Sequence, residues 1–264
     1  MRNLRLFLRY ARLNLMSAAE YRASFLGAAL GMLLNNSTFV FFWWVAFGYA
    51  GESIGGYSFD DVMFIWAASS TAYGLAHVFF DGVRGLSRTI VQGELDIFLL
   101  QPKPPLLSLA CSKTDFTSWG DLLYGFVLMA LTGQNGAAWL WFLLGALGGA
   151  LGGALLIVAF ETMAHCFTFY VGDASQPAAM ASEFLINACL YPAGMYPWII
   201  RVIMATVLPA LFVAHVPLWL ARGASLWWAA LWLAFCLFFL YLAHVVFCRA
   251  LRRYESGNLL SARL

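Results

Sequence analysis

Charge is scarce in this chain. Only 11% of its 264 residues are Asp, Glu, Lys or Arg, against about 25% in a typical soluble domain. A water-soluble fold of this length keeps a broad polar surface, so an ordinary soluble enzyme is excluded. A disordered chain is excluded too, because 62% of the residues are hydrophobic and disorder requires low hydrophobicity with high net charge. No excess of one sign exists: the net charge is +2, which leaves no footprint for nucleic acid. The five cysteines (Cys111, Cys166, Cys189, Cys236, Cys248) form no C-x-x-C pair, which argues against a disulfide framework or a zinc ribbon. Residues 1–22 carry five arginines and lack the apolar core of a cleavable signal, so the first apolar run is expected to act as an uncleaved insertion signal. No G-x-x-x-x-G-K-[ST], G-x-S-x-G or H-E-x-x-H motif occurs. Nucleotide binding, hydrolase and zinc-protease chemistry therefore have no carrier, and no cofactor is expected in the chain.

What the sequence has in abundance is long apolar runs. They predict an all-α membrane protein with six transmembrane helices, since a spanning helix takes about 20 apolar residues. The expected spans are Phe25–Tyr49, Val62–Phe80, Phe116–Leu131, Ala137–Tyr170, Ala178–Trp198 and Leu226–Phe247. The third contains Asp121 and is the weakest. The fourth is too long for a hydrocarbon core of about 30 Å, so it is expected to tilt or project. The whole chain, 1–264, reads as a single transmembrane domain.

Residues 1–22 predict an amphipathic interfacial helix. At 100° per residue, Arg2, Arg5, Arg9 and Arg12 share an arc of about 80°. Leu4, Phe7, Leu8, Ala11 and Leu15 share another, and Leu6, Leu13 and Met16 fit neither. Basic residues opposite an apolar stripe suit an anionic cytoplasmic leaflet.

Residues 199–222 are apolar but interrupted by Pro209 and Pro217 and bracketed by Arg201 and Arg222. They could form a seventh span or an external re-entrant hairpin. With six spans and the N-terminus inside, thirteen of the fifteen basic residues lie inside, and only Arg201 and Arg222 lie outside. A seventh span would place Arg249, Arg252, Arg253 and Arg263 outside, so the positive-inside rule favours the hairpin. Nine tryptophans (Trp43, Trp44, Trp139, Trp141, Trp198, Trp219, Trp227, Trp228, Trp232) then gather near the outer ends, while Trp66 and Trp119 do not fit that belt. Gly145, Gly149 and Gly153 stand at small-xxx-small spacing, with Gly148 and Gly152 beside them. Such spacing predicts close helix packing in lipid.

The loop between the second and third spans, residues 82–110, is expected on the cytoplasmic side. Gly82, Gly85 and Gly93 punctuate it and Pro102, Pro104 and Pro105 close it, leaving room for one or two short helices. Its apolar residues need a membrane or a protein to cover them. Within it, Gly93, Glu94, Leu95, Asp96, Leu99, Leu100 and Pro102 form a G-E-L-D-x-x-L-L-x-P pattern. This pattern resembles a loop in permease subunits of type-2 ABC exporters, in their six-span branch of roughly 260 residues.

The resemblance covers most of the chain, and it implies several expectations. The loop would be a coupling element that docks on a cytoplasmic ABC ATPase, with Gly93, Glu94, Leu95, Asp96, Phe98, Leu99, Leu100 and Pro102 as its residues. Leu95, Phe98 and Leu99 would be apolar anchors, with Glu94 and Asp96 setting charge complementarity or capping the helix. ATP and Mg would be held on that partner. A second permease chain would complete the translocation path in the inner (plasma) membrane, with both termini cytoplasmic.

Ionisable residues inside spans are costly and often functional. Glu161 and His165 are four apart, as are Glu183 and Asn187, and as are His77 and Asp81; each pair shares a helix face. Glu161, His165, Glu183 and Asn187 fit a polar substrate path, or interhelical hydrogen bonding. Glu161, His165 and Cys166 offer metal-ligand types, but one helix is thin support for a metal site. A polytopic enzyme acting on lipids is the alternative, with His77, Asp81 and Arg84 as its nearest cluster.

Overall fold

The computed structural model describes residues 2–132, 138–223 and 225–255. Arg263 and the side chains of Arg2, Trp139 and Trp141 lie outside that description. The described residues form helices and turns. The helices are α1 (Arg2–Glu20), α2 (Arg22–Ala50), α3 (Phe59–Phe80), α4 (Leu86–Val91), α5 (Leu95–Leu99), α6 (Pro105–Ala110), α7 (Ser118–Leu131), α8 (Ala138–His165), α9 (Thr168–Val171), α10 (Ser175–Leu190), α11 (Trp198–Thr206), α12 (Val216–Ala221) and α13 (Leu226–Leu251).

Four stretches are long and apolar enough to cross a membrane: α2, α3 with its continuation to Val91, residues 145–171, and α13. The protein is an all-α membrane protein. α2 and α13 bury little of their surface in the bundle. A helix apolar on all sides with so few protein neighbours has lipid as its solvent. At 1.5 Å per residue, α7 and α10 reach only about 21 and 24 Å, short of a full hydrocarbon core. Among the described residues, length and composition alone give four such spans, or five if the bent α11–α12 pair is taken as one span.

Two expected spans end earlier than the apolar runs suggested. Past His165 the chain turns at Cys166–Phe167 before α9, so the fourth run is not one straight helix to Tyr170. α10 stops at Leu190 rather than Trp198. Pro192 and Pro197 follow it, and Ala193–Met195 makes a short turn, because a proline cannot continue a helix ladder.

The helices define two ends of the bundle. At one end lies the α2–α3 connection. There Ser58 Oγ accepts from Asp61 N at 3.3 Å and the Asp61 carboxylate accepts from Ser58 N at 2.9 Å, a capping box that starts α3. Asp61 also pairs with Arg222. A Cβ on Gly194 would come within 1.8 Å of the Gly55 carbonyl oxygen, so both borders of the segment 198–222 sit at this end. Between them α11 and the Leu211–Ala221 helix are bent by 79°. Pro209 causes the break, having no N–H to donate. The Leu211–His215 turn beyond it is wound as a π-helix, a form that appears at irregular points in helices. Along α8 a Cβ on Gly145 would meet Ala221, one on Gly149 would meet Pro217, and one on Gly153 would meet Val213. The segment therefore enters from this end, turns near the level of Gly153, and returns to the same end.

The other end carries α1, α4, α5, α6 and α9. A satellite core of Leu86, Ile90, Leu95, Leu109, Cys166 and Phe247 joins α4, α5 and α6 to the ends of α8 and α13. α1 packs here as well. Phe7 lies 5.6 Å from both Phe79 and Phe80, and Asn14 Nδ2 donates to the Cys111 carbonyl at 3.3 Å. Leu6, which fitted neither arc of the sequence wheel, is buried by this protein contact, while Leu4, Leu8 and Leu15 stay exposed. The exposed stripe remains free to enter a leaflet.

Candidate functional site

Close backbone approach sets up the polar region. α7 runs against α3 and α2 through glycines. A Cβ on Gly125 would come within 2.2 Å of Thr71 Oγ1, and one on Gly120 within 2.5 Å of the Ala29 carbonyl oxygen. Small residues permit such contacts where lipid supplies no hydrophobic drive between helices. This packing turns Asp121 inward, where its Oδ1 accepts from Asn36 Nδ2 at 2.7 Å.

Asp121 lines a crevice of about 190 Å³ between α2, α3, α7 and α10, together with Asn36, Phe39, Trp66, Ser69 and Tyr73. Trp66, which stood outside the tryptophan belt, stacks on Phe39 with ring centroids 4.9 Å apart. Trp119, the other exception, packs edge-on against Phe25 at 5.9 Å.

Tyr73, Glu183 and Ile186 are shared between this crevice and a larger cavity of about 590 Å³ toward the loop end. Arg84, Arg88 and Lys113 line the cavity, opposite Glu161, Glu183 and Asp173. Glu161 is 2% exposed, and its Oε1 lies 3.2 Å from His77 Nε2. That approach is not aligned as a hydrogen bond, since both His77 ring nitrogens lack a partner. The His77 ring stacks on Tyr73 at 4.1 Å. His165 Nδ1 meets Ser87 Oγ at 2.7 Å, and Thr168 Oγ1 donates to Ser87 Oγ at 2.7 Å. This buried chain ties α4 to α8 and α9.

Of the four residues expected along a substrate path, three converge on the cavity: Glu161, His165 and Glu183. Asn187 does not. It is exposed, and its side chain donates to the Glu183 carbonyl at 2.8 Å. The metal-ligand set separates, with Glu161 facing His77, His165 bonded to Ser87, and Cys166 inside the satellite core. The enzyme-like cluster separates as well. Arg84 is held by Asp81 at 3.3 Å and Asp115 at 3.6 Å, while His77 turns away toward Glu161. Asp115 in turn accepts from Thr117 N, Thr117 Oγ1 and Ser118 Oγ at 3.0, 2.6 and 2.9 Å. Burial pushes its carboxyl upward, but these hydrogen bonds and Arg84 hold it below the usual carboxylate range.

Around the coupling pattern, Gly93 turns the chain between α4 and α5 with φ +74°, a conformation that favours glycine. Leu95 is fully buried in the satellite core, with Phe98 and Leu99 packed partly against it. Leu95 is therefore a core residue rather than a docking anchor. The apolar side chains left in solvent are Ile97 and Leu100, at 60% and 86% exposure, beside exposed Glu94 and Pro102. Glu94 stands at the start of α5 without making a capping bond. Tyr254 packs partly against the same core, with its ring edge-on to Phe169. Five residues are too few for helical periodicity to reveal which face is covered.

No curated protein and no solved structure matches the chain. One family does, described as ABC-2 family transporter protein, over residues 33–257. That interval runs from α2 past the end of α13 and includes the cavity, the crevice, the α4–α6 loop and the hairpin. The chain therefore belongs to the ABC-2 family of transporters.

Proposed function

We propose that this chain is one permease half of an ATP-driven exporter. Six helices (α2, α3, α7, α8, α10 and α13) cross the membrane, the loop end is cytoplasmic, and α11–α12 is an external re-entrant hairpin. With a second permease chain it encloses the translocation path. ATP hydrolysis and its Mg belong to separate cytoplasmic ATPase subunits, which engage the loop through the exposed face of α5. The observation that carries this reading is the polar cavity beside α4, which shares Tyr73, Glu183 and Ile186 with the Asp121 crevice. It gives a route from the loop end into the bundle, next to the segment a motor would push. Ser87, His165 and Thr168 link that segment to α8 and α9, so displacement of α4 would reach the cavity wall. Differential affinity for substrate in the two resulting states performs the transport work.

Family membership favours this reading over a lipid-processing enzyme. The test is affinity purification of the tagged chain with mass spectrometry, followed by reconstitution. An ABC ATPase and a second permease should co-purify, and ATP should drive export from proteoliposomes. A chain that purifies alone and shows no ATP-dependent flux would contradict the proposal.

A further inference from the structure

Three buried polar atoms in or beside the crevice have no partner: Trp66 Nε1, Ser69 Oγ and Asp121 Oδ2. All three residues are at most 3% exposed. Orphaned polar groups are rare in folded proteins and are dearest in a bilayer, where no solvent can serve them. Three around one space indicate that something polar enters it.

The lining specifies the chemistry of that visitor. No Lys or Arg lines the crevice among the described residues; its ionisable carboxyls are Asp121 from α7 and Glu183 from α10, with Asn36 from α2 facing Asp121. Phe39, Trp66 and Tyr73 add aromatic surfaces. A carboxylate beside aromatic faces is the arrangement that holds an ammonium group, by charge pairing and by the negative ring face. An inorganic cation instead needs a shell of oxygens, for which aromatic walls are useless. The Trp66 N–H and Ser69 hydroxyl remain as donors for an acceptor atom near the cationic centre.

We propose that the crevice is a binding site for an organic ammonium carrying a nearby hydroxyl or carbonyl, with Asp121 as its counter-charge. This deepens the permease reading and rests on it, because the crevice shares Tyr73, Glu183 and Ile186 with the cavity taken as the path. The closing experiment uses the full-length protein in nanodiscs. Choline, its uncharged isostere 3,3-dimethylbutan-1-ol, and sodium chloride are titrated by calorimetry and by competition. Choline should bind saturably, and the isostere and sodium roughly tenfold more weakly or worse. Asp121→Asn, which keeps shape and the Asn36 contact, should lose roughly tenfold in choline affinity. Phe39→Leu, at a half-exposed ring, should lose several-fold, and Asp60→Asn, at an exposed site, nothing. Absence of saturable choline binding, equal binding of the isostere, equal competition by sodium, or unchanged affinity in Asp121→Asn would overturn the site. If Asp121→Asn does not fold, unchanged affinity in Phe39→Leu would overturn it instead. ATP-driven export is measured on the same preparation. Export without choline binding would sink the site and spare the permease reading, whereas binding without an ATPase or export would do the reverse.

Discussion

Two sides of the bundle both close through glycines but differ in what lies beside the contact. Along α8, the seam with α12 and α13 is closed backbone to side chain. A Cβ on Gly145, Gly149 or Gly152 would come within 2.6, 2.4 or 2.2 Å of Ala221, Pro217 or Trp232. Trp232 there donates its indole N–H to the Phe212 carbonyl at 2.9 Å, and Phe235 stacks on Phe212 at 3.7 Å. Across the bundle, α7 closes on α3 and α2 in the same way at Gly125 and Gly120, but the space between α2, α3, α7 and α10 collects Asp121, Glu183, Ser69 and Trp66. Since lipid gives helices no hydrophobic reason to associate, close contact marks a fixed wall. A gap lined with costly polar groups marks a place kept open for function.

The largest effect should come from filling the seam. Gly149→Leu forces a side chain into the Pro217 ring, at a cost of about 3 kcal/mol or more. The variant should lose most of its folded yield in size-exclusion chromatography. Normal yield and melting would show that the seam is not tightly packed and would break the comparison.

The loop end offers a second contrast within one short helix. Leu95→Asp buries a charge in the satellite core and should destabilise by several kcal/mol, on the order of 3. Ile97→Asp alters an exposed face, so stability should change by less than about 1 kcal/mol. ATPase co-purification should nonetheless fall roughly tenfold, as for loss of an interface anchor. If Ile97→Asp retains the ATPase in full, the docking face lies elsewhere.

Much of this frame was legible in the sequence. The apolar runs announced a helical membrane protein, the α8 glycine spacing announced the seam, and Pro209 marked the break between α11 and the Leu211–Ala221 helix. The site was legible in pieces only. Glu161 and His165 stood out because four-residue spacing puts them on one face. Asp121 and Asn36 lie 85 positions apart, and only the approach of α7 to α2 at Gly120 brings them together. Helical periodicity cannot distinguish a side chain facing lipid or a partner from one facing its own bundle, so the burial of Leu6 and Leu95 is visible only in the structure.

On the gap side, Glu161→Gln removes charge at nearly constant shape. It should lower transport of cationic substrates about fivefold, or about 1 kcal/mol, with assembly intact in co-purification. Unchanged flux would return Glu161 to a packing role beside His77.

The smallest effect concerns Asp115, which precedes α7 outside the gap and accepts from Thr117 and Ser118. A carboxyl held lower in the folded state stabilises the fold above its unfolded value near pH 4. That stabilisation disappears as pH falls through the lower folded value. At neutral pH, Asp115→Asn should be less stable by under about 1 kcal/mol, given its partial solvent screening. Thermal melting should show wild type losing stability more steeply below about pH 4 than the variant. Parallel pH profiles would mean that the hydrogen bonds from Thr117 and Ser118 do not hold the carboxyl low.

The central claim, an open gap opposite a sealed seam, is tested most directly by accessibility to a charged thiol reagent in a background lacking the five native cysteines. Single cysteines at Ser70 and Ser182 sample the crevice and the cavity, and one at Ala150 samples the interior beside the seam. In the reconstituted transporter without nucleotide, Ser70→Cys and Ser182→Cys should react, and non-hydrolysable ATP analogue should change their rates. Ala150→Cys should stay unreactive in both conditions. Equal reactivity at all three positions, or no reaction at Ser70 and Ser182 in either condition, would contradict the account.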